Sequence, residues 1–274
     1  GVQLCAPASW QIELYNKDDA LCLSGGLADF DFGHWLKVLQ PGESFTTPDA
    51  YLTVCRGDLE TVCHRLTAMQ EIPLRNLPSD EEDLPIQFNE WATTWGTPTH
   101  TGMVELAERL EGRGVKYLII DAGWYKKPGV SWDNSAGDWE VSAELFPGGL
   151  KQTADAIRAA GLVPGIWFEY EAVCRDADAF LDTGHLLARM GRPLTCGVRR
   201  FWDFRQEWVR EHLAHRMIGL LRECGFGYLK IDYNETIGIG CDGSDSLGEG
   251  LRSQIEAIGG DLGVVHGLGR VHVA

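Results

Sequence analysis

After Pro85 the chain settles into one grammar: short apolar runs ending in polar residues, alternating with amphipathic helical stripes. Ile86, Gln87, Phe88 and Asn89 form a strand. Met103, Val104, Ala107 and Leu110 mark a helical face that stops at Gly112 and Gly114. Residues 115–121 are apolar almost throughout, as a strand buried on both faces must be. The pattern then predicts a helix over 150–160, a strand over 162–168, a helix over 206–224 and a strand over 228–232. Such alternation builds a parallel sheet, either a barrel or a doubly wound sheet. In both, chemistry gathers at the carboxyl ends of the strands. Those ends carry Asn89 and Trp91, Asp121 and Trp124, Trp167 and Glu169, and Lys230, Asp232 and Asn234.

The first 57 residues read differently. Weak alternation over 10–15 and an apolar run over 51–55 predict strands. Turn signals lie at 16–19, at Ser24-Gly25-Gly26 and at 40–43. These are too few strands to close a sheet sandwich. A helix is predicted over 58–72, with Asp58 as its cap. Residues 76–85 hold two prolines and four acids, and read as a linker. The expected organisation is therefore 1–75, the end of an all-β domain with a connecting helix; 76–85, an acidic linker; and 86–274, an α/β domain.

Charge removes two classes of partner. Lys and Arg number 24 and Asp and Glu 40, a net charge of −16. No basic face is available to displace phosphate counterions, so nucleic acid is not expected. The same charge argues against an anionic membrane surface, and no stretch of 18 uninterrupted apolar residues predicts a spanning helix. None of the eight cysteines falls in a C-x-x-C pair, which argues against a zinc ribbon or a thioredoxin-type site. Reduced core thiols and a cytoplasmic location are expected. Ten tryptophans in an acidic chain suit carbohydrate, whose C–H faces stack on indole, or simply fill cores.

Lys230, Asp232 and Asn234 are spaced by two, which puts them on one face of a strand. An ammonium beside Asp232 would keep that carboxylate ionised, as a glycosidase nucleophile requires. The same spacing also fits a Lys–Asp pair that merely ends a strand. Asp121 reads either as a clamp for sugar hydroxyls or as a turn residue. Trp167 suits ring stacking or core packing, and Glu169 suits fixing its neighbours or a buried ion pair. Gly238, Gly240 and Gly243 fit G-x-G-x-x-G, but Asp242 and Asp245 would repel a pyrophosphate.

Taken in order, six segments resemble the α-galactosidases of glycoside hydrolase family 36. They are Phe88-Asn89-Glu90-Trp91, Ile120-Asp121-Ala122-Gly123-Trp124, Gly137-Asp138-Trp139, Phe146-Pro147-Gly148-Gly149-Leu150, Gly165-Ile166-Trp167-Phe168-Glu169, and Tyr228 through Asn234. The resemblance covers about residues 86 to 255. It implies a (β/α)8 TIM-type barrel, incomplete in this chain, preceded by the tail of an all-β sandwich. It implies a retaining, cofactor-free and metal-free hydrolase that removes terminal α-linked galactose from oligosaccharides or glycoconjugates. By motif match Asp232 is the nucleophile. Lys230 and Asn234 would bind galactose, Trp91 and Trp167 would shape its pocket, Asp121 would take its hydroxyls, and Arg199, or Arg200 beside it, would contact substrate. A homo-oligomer is possible for the full-length protein.

Two departures follow. Ala122 stands where the family pattern has a second acid, which makes an α-N-acetylgalactosaminide an alternative substrate. The family's general acid/base, an Asp well downstream of the nucleophile, has no matching segment here. The chain is accordingly expected to be a fragment with little hydrolysis of its own. The competing class is a non-catalytic sugar-binding module.

Overall fold

The computed structural model describes residues 1–6, 8–69, 83–266 and 272–273. It divides into two units. One comprises Gly1–Ser79, Arg189–Gly191 and Gly238–Glu256; the other comprises Asp80–Ala188, Arg192–Ile237 and Ala257–Ala274.

In the first unit, β1 (Val2–Leu4) pairs antiparallel with β4 (Ala50–Leu52), and β2 (Trp10–Lys17) with β3 (Ala20–Leu27). Asp18 and Asp19 join β2 to β3 with φ of 50° and 63°. Two central residues at positive φ twist a two-residue hairpin in the hand its strands need. Ser24, Gly25 and Gly26, expected as a turn, instead lie within β3 opposite Glu13, Ile12 and Gln11. The ladder to β2 satisfies their backbone, and this overrides the local turn preference. Helix α1 (Leu59–Ala68) begins where expected, with Asp58 Oδ1 accepting from the Thr61 N–H at 3.0 Å. Residues 70–72 of the expected helix, and the linker as far as residue 82, lie outside the described residues.

The same unit holds the glycine motif. At Gly240 (φ +124°) a Cβ would stand 1.9 Å from the Leu247 carbonyl oxygen. The glycine therefore serves close chain packing. Asp242 accepts the Met190 and Gly191 N–H groups at 2.9 and 2.8 Å. The acid within the motif thus anchors the Met190–Gly191 backbone instead of facing a phosphate. Helix α5 (Leu247–His266) starts here. Its Glu249, 2% exposed, receives Trp35 Nε1 and Lys37 Nζ at 2.9 Å each and Arg252 Nη2 at 2.6 Å. These donors, Arg252 foremost, hold its carboxyl down at about 2.

The second unit is built on β5 (Ile86–Asn89), β6 (Val115–Ile120), β7 (Val163–Phe168), β10 (Tyr228–Ile231) and β11 (His272–Val273), side by side and parallel in that order. Spatial order equals chain order. A doubly wound sheet would reverse direction at a switch point, and no reversal occurs among the described strands. The sheet is the curled half of a barrel. Helices α2 (His100–Leu110), α3 (Gly149–Ala159) and α4 (Glu207–Cys224) make the crossovers. Thr99 caps α2 by accepting from Gly102 N–H at 3.1 Å. Gly225, at φ +69°, closes α4 onto the Leu221 carbonyl. Leu118, Ile120, Ile157, Ile166, Val209 and Leu229 are fully buried between sheet and helices, each contributing about 1.5–3 kcal/mol.

The long β7–α4 connection folds back as β8 (Ala172–Cys174) against β9 (Arg199–Phe201), antiparallel. No sequence pattern had announced this pair. Among the described residues no helix is long and apolar enough to cross a membrane.

Candidate active site

The ends of β5, β6, β7 and β10 bring together most of the residues singled out in the sequence. Asp121 follows β6 and is 2% exposed. Its Oδ1 accepts the Ala122 N–H at 2.8 Å and its Oδ2 accepts Lys230 Nζ at 2.8 Å. The lysine therefore pairs with Asp121. This corrects the expectation that Lys230 serves Asp232: alternation puts residues on one face but does not fix which acid a long lysine side chain reaches.

Asp232 is held by other donors. Its N–H continues the ladder to the Phe168 carbonyl at 2.9 Å. Its Oδ2 accepts Trp167 Nε1 at 3.0 Å and Asn234 Nδ2 at 3.3 Å, and its Oδ1 accepts the Tyr233 N–H at 2.9 Å. Two side-chain N–H donors on one oxygen fix the carboxylate's direction.

Trp167 is 1% exposed. Its ring packs among Tyr125, Trp132 and Trp139, with centroids 6.0–6.3 Å away. Trp124 Nε1 donates to the Trp167 carbonyl at 2.8 Å. What Trp167 offers the site is its N–H; its ring is core. Trp91 is half-buried on the turn after β5, edge-on to Trp132 at 5.0 Å.

Glu169 forms the second anchored carboxylate. Arg199 grips it with two bonds, Nε to Oε1 at 2.7 Å and Nη2 to Oε2 at 3.2 Å, and both side chains are almost fully buried. Glu169 Oε2 also accepts Asn234 Nδ2 at 2.9 Å. Arg199 thus joins the site through β9. Arg200 does not: its guanidinium lies over Phe180 at 4.0 Å. Asp138 has a structural role, capping the distant 178–181 helical turn by accepting the Asp178 and Ala179 N–H groups at 2.8 and 3.0 Å.

Two carboxyls had been overlooked. Glu90 is completely buried, and burial pushes it up to about 7. Glu171 is partly buried; burial, with the charge of Glu169 beside it, also pushes it up to about 7. Each was readable only as an acid one or two residues beyond a marked strand end. Glu90, Asp121, Glu169, Glu171 and Asp232 outnumber Lys230 and Arg199, so the site is rich in carboxyl groups. Among the described residues no His, Cys, Asp and Glu side chains gather as a metal-binding set.

α-Galactosidase Mel36A of Lactobacillus acidophilus is 22% identical over 214 residues, which are 77% of this chain and 29% of that protein. α-Galactosidase AgaA of Geobacillus stearothermophilus is 27% identical, with the same shares covered. The chain thus spans under a third of the length of these curated relatives. The crystal structure of the α-galactosidase from Lactobacillus brevis superposes with a TM-score of 0.80 at 19% identity, covering 99% of this chain and 37% of that one. That likeness is one of fold. The melibiase family model matches residues 44–253, and on that match the chain belongs to the melibiase family.

Proposed function

We propose that this chain carries the nucleophile and much of the sugar pocket of a retaining α-galactosidase. The observation that carries the reading is Asp232: a partly exposed carboxylate at a strand end, aimed by Trp167 and Asn234. A fixed carboxylate avoids the cost of ordering at the moment of attack. In the first step an Asp232 oxygen bonds to the anomeric carbon while the glycosidic C–O bond breaks, and a second carboxyl protonates the departing oxygen. Water then attacks the glycosyl ester, returning free sugar with retained configuration and the Asp232 carboxylate. Lys230, with a side chain 29% exposed, donates to sugar oxygens while Asp121 holds it. Trp91 edges the pocket, Asn234 serves both sugar and nucleophile, and Arg199 acts by fixing Glu169.

Crystal structures of AgaA variants in complex with stachyose and with raffinose support terminal α-galactose on oligosaccharides as the substrate class. Ala122, buried at the β6 end, favours the α-N-acetylgalactosaminide as a second candidate. The boundaries at 75 and 85, and a sandwich origin for the first segment, belong to the same proposal.

A fluoride leaving group departs without a proton, so α-galactosyl fluoride and its ring-fluorinated traps test the nucleophile independently of any acid. The chain is expected to acquire one glycosyl group, mapped to Asp232, and Asp232→Ala is expected to acquire none while still binding galactose. Label on another side chain would overturn the assignment. Sugar binding without label would identify a binding module instead.

A further inference from the structure

Glu90 takes no part in the mechanism above, yet it is the most deeply buried carboxyl at these strand ends, with 0% exposure. It stands where β5 ends and the Trp91–Thr94 turn begins, but makes no side-chain bond to the backbone of that turn. Instead its Oε1 accepts the Asp121 N–H at 3.0 Å and its Oε2 accepts the Thr94 hydroxyl. Its own N–H donates to the Ile119 carbonyl. Glu90 therefore stitches β5 to the last residues of β6 from both its backbone and its side chain. Asp121 passes the connection on to Lys230 on β10. The charged groups facing Glu90 are Asp121 from β6 and Lys230 from β10, and its own turn supplies only Thr94. Among the described residues no cation forms an ion pair with it.

We propose that Glu90 is a positioning residue for the sugar pocket, setting Asp121 and through it the Lys230 ammonium according to whether its own carboxyl carries a proton. This rests on the reading of Lys230 and Asp232 as pocket residues. Ionised, Glu90 adds a second negative charge behind Asp121 and draws the Lys230 ammonium inward, away from a ligand oxygen. Protonated, it leaves that ammonium balanced by Asp121 alone, with more of its hydrogen-bonding capacity turned to the pocket. Burial keeps the proton to about pH 7, so the two forms exchange within the neutral range.

The test uses the full 274-residue chain, its Glu90→Gln and Glu90→Ala variants, and the rate at which a fluorinated α-galactosyl fluoride labels it. Gln keeps the shape and an acceptor for Asp121 while fixing the neutral form. The wild-type rate is expected to fall about tenfold between about pH 6 and 8, the size of a one-unit charge interaction. Glu90→Gln is expected to hold the low-pH rate across that range, and Glu90→Ala to be slow throughout. A Gln variant with the wild-type inflection would overturn the proposal and assign the titration elsewhere, Glu171 being the other candidate. So would a Glu90→Ala variant that labels normally, or a wild type without an inflection.

If the wild type takes no label at any pH, the hydrolase reading fails. The amide nitrogen NMR shift of Asp121 still decides the Glu90 link without sugar. A titration near pH 7 that disappears in Glu90→Gln supports it, and a titration that persists overturns it.

Discussion

Trp167 Nε1 donates to Asp232 Oδ2 at 3.0 Å across 65 residues of sequence. Trp167→Phe removes the donor and, because the ring is otherwise core, also leaves a small cavity that lowers stability. Hydrogen bonds to charged groups are worth about 1.5–3 kcal/mol, so labelling of Asp232 by a glycosyl fluoride should slow about 10- to 100-fold. An unchanged far-UV circular dichroism spectrum and a cooperative urea transition would show that the fold is kept. A variant that labels at the wild-type rate would remove Trp167 from the site.

Glu169 and Arg199 are buried together. Glu169→Gln leaves the guanidinium uncompensated, and breaking a buried pair in this way costs about 3–5 kcal/mol. Urea unfolding should register that loss. Adding Arg199→Met should recover much of it, because the unpaired charge is then gone. Stability and labelling should separate in the double variant, since Asn234 has exchanged the charged acceptor at Glu169 for a weaker neutral one.

Proton linkage gives a signed expectation. Glu90 and Glu171 are raised from about 4.5 to about 7. The folded chain keeps protons there that the unfolded chain releases, so their contribution to stability is fully present below about 4.5 and is lost as pH rises to about 7. Glu249, lowered to about 2, contributes in the opposite sense, and its stability is lost as pH falls towards 2. Melting temperature should therefore decline between about pH 5 and 7. Glu90→Gln should flatten part of that decline, and a flat wild-type curve would refute the linkage.

Gly123 has φ +106°, and a Cβ there would stand 2.2 Å from the Gly96 carbonyl oxygen. Backbone against backbone leaves nothing flexible to yield. Gly123→Ala should cost at least about 1–3 kcal/mol in strain alone and displace the Asp121–Ala122 segment. Chemical denaturation with galactose binding as a second readout would check both effects.

Most of the barrel was legible because its elements are long and periodic. Val209, Leu213 and Met217 repeat at helical spacing, and all three are buried on α4. Spacing also singled out Lys230, Asp232 and Asn234, but not their partners. Lys230 meets Asp121 from 109 residues away and from the far side of β7, a fact of sheet order that local pattern does not contain. The β8–β9 pair was invisible because three-residue strands have no period to read. Glu90 looked like any polar strand end, and its significance arises only when β6 covers it. Ser24 to Gly26 misled for the converse reason: their turn propensity is real, and the β2 ladder outweighs it.

Because strands lie in space in the order they occur in the chain, synthesis lays the sheet down from one side. Asp121 and Glu169 leave the ribosome before Lys230 and Arg199, the cations that neutralise them. An uncompensated buried carboxylate costs several kcal/mol, so the nascent β6 and β7 tips must stay hydrated until those later residues emerge. The mouth at these strand ends therefore dries later than the β6 and β7 core behind it.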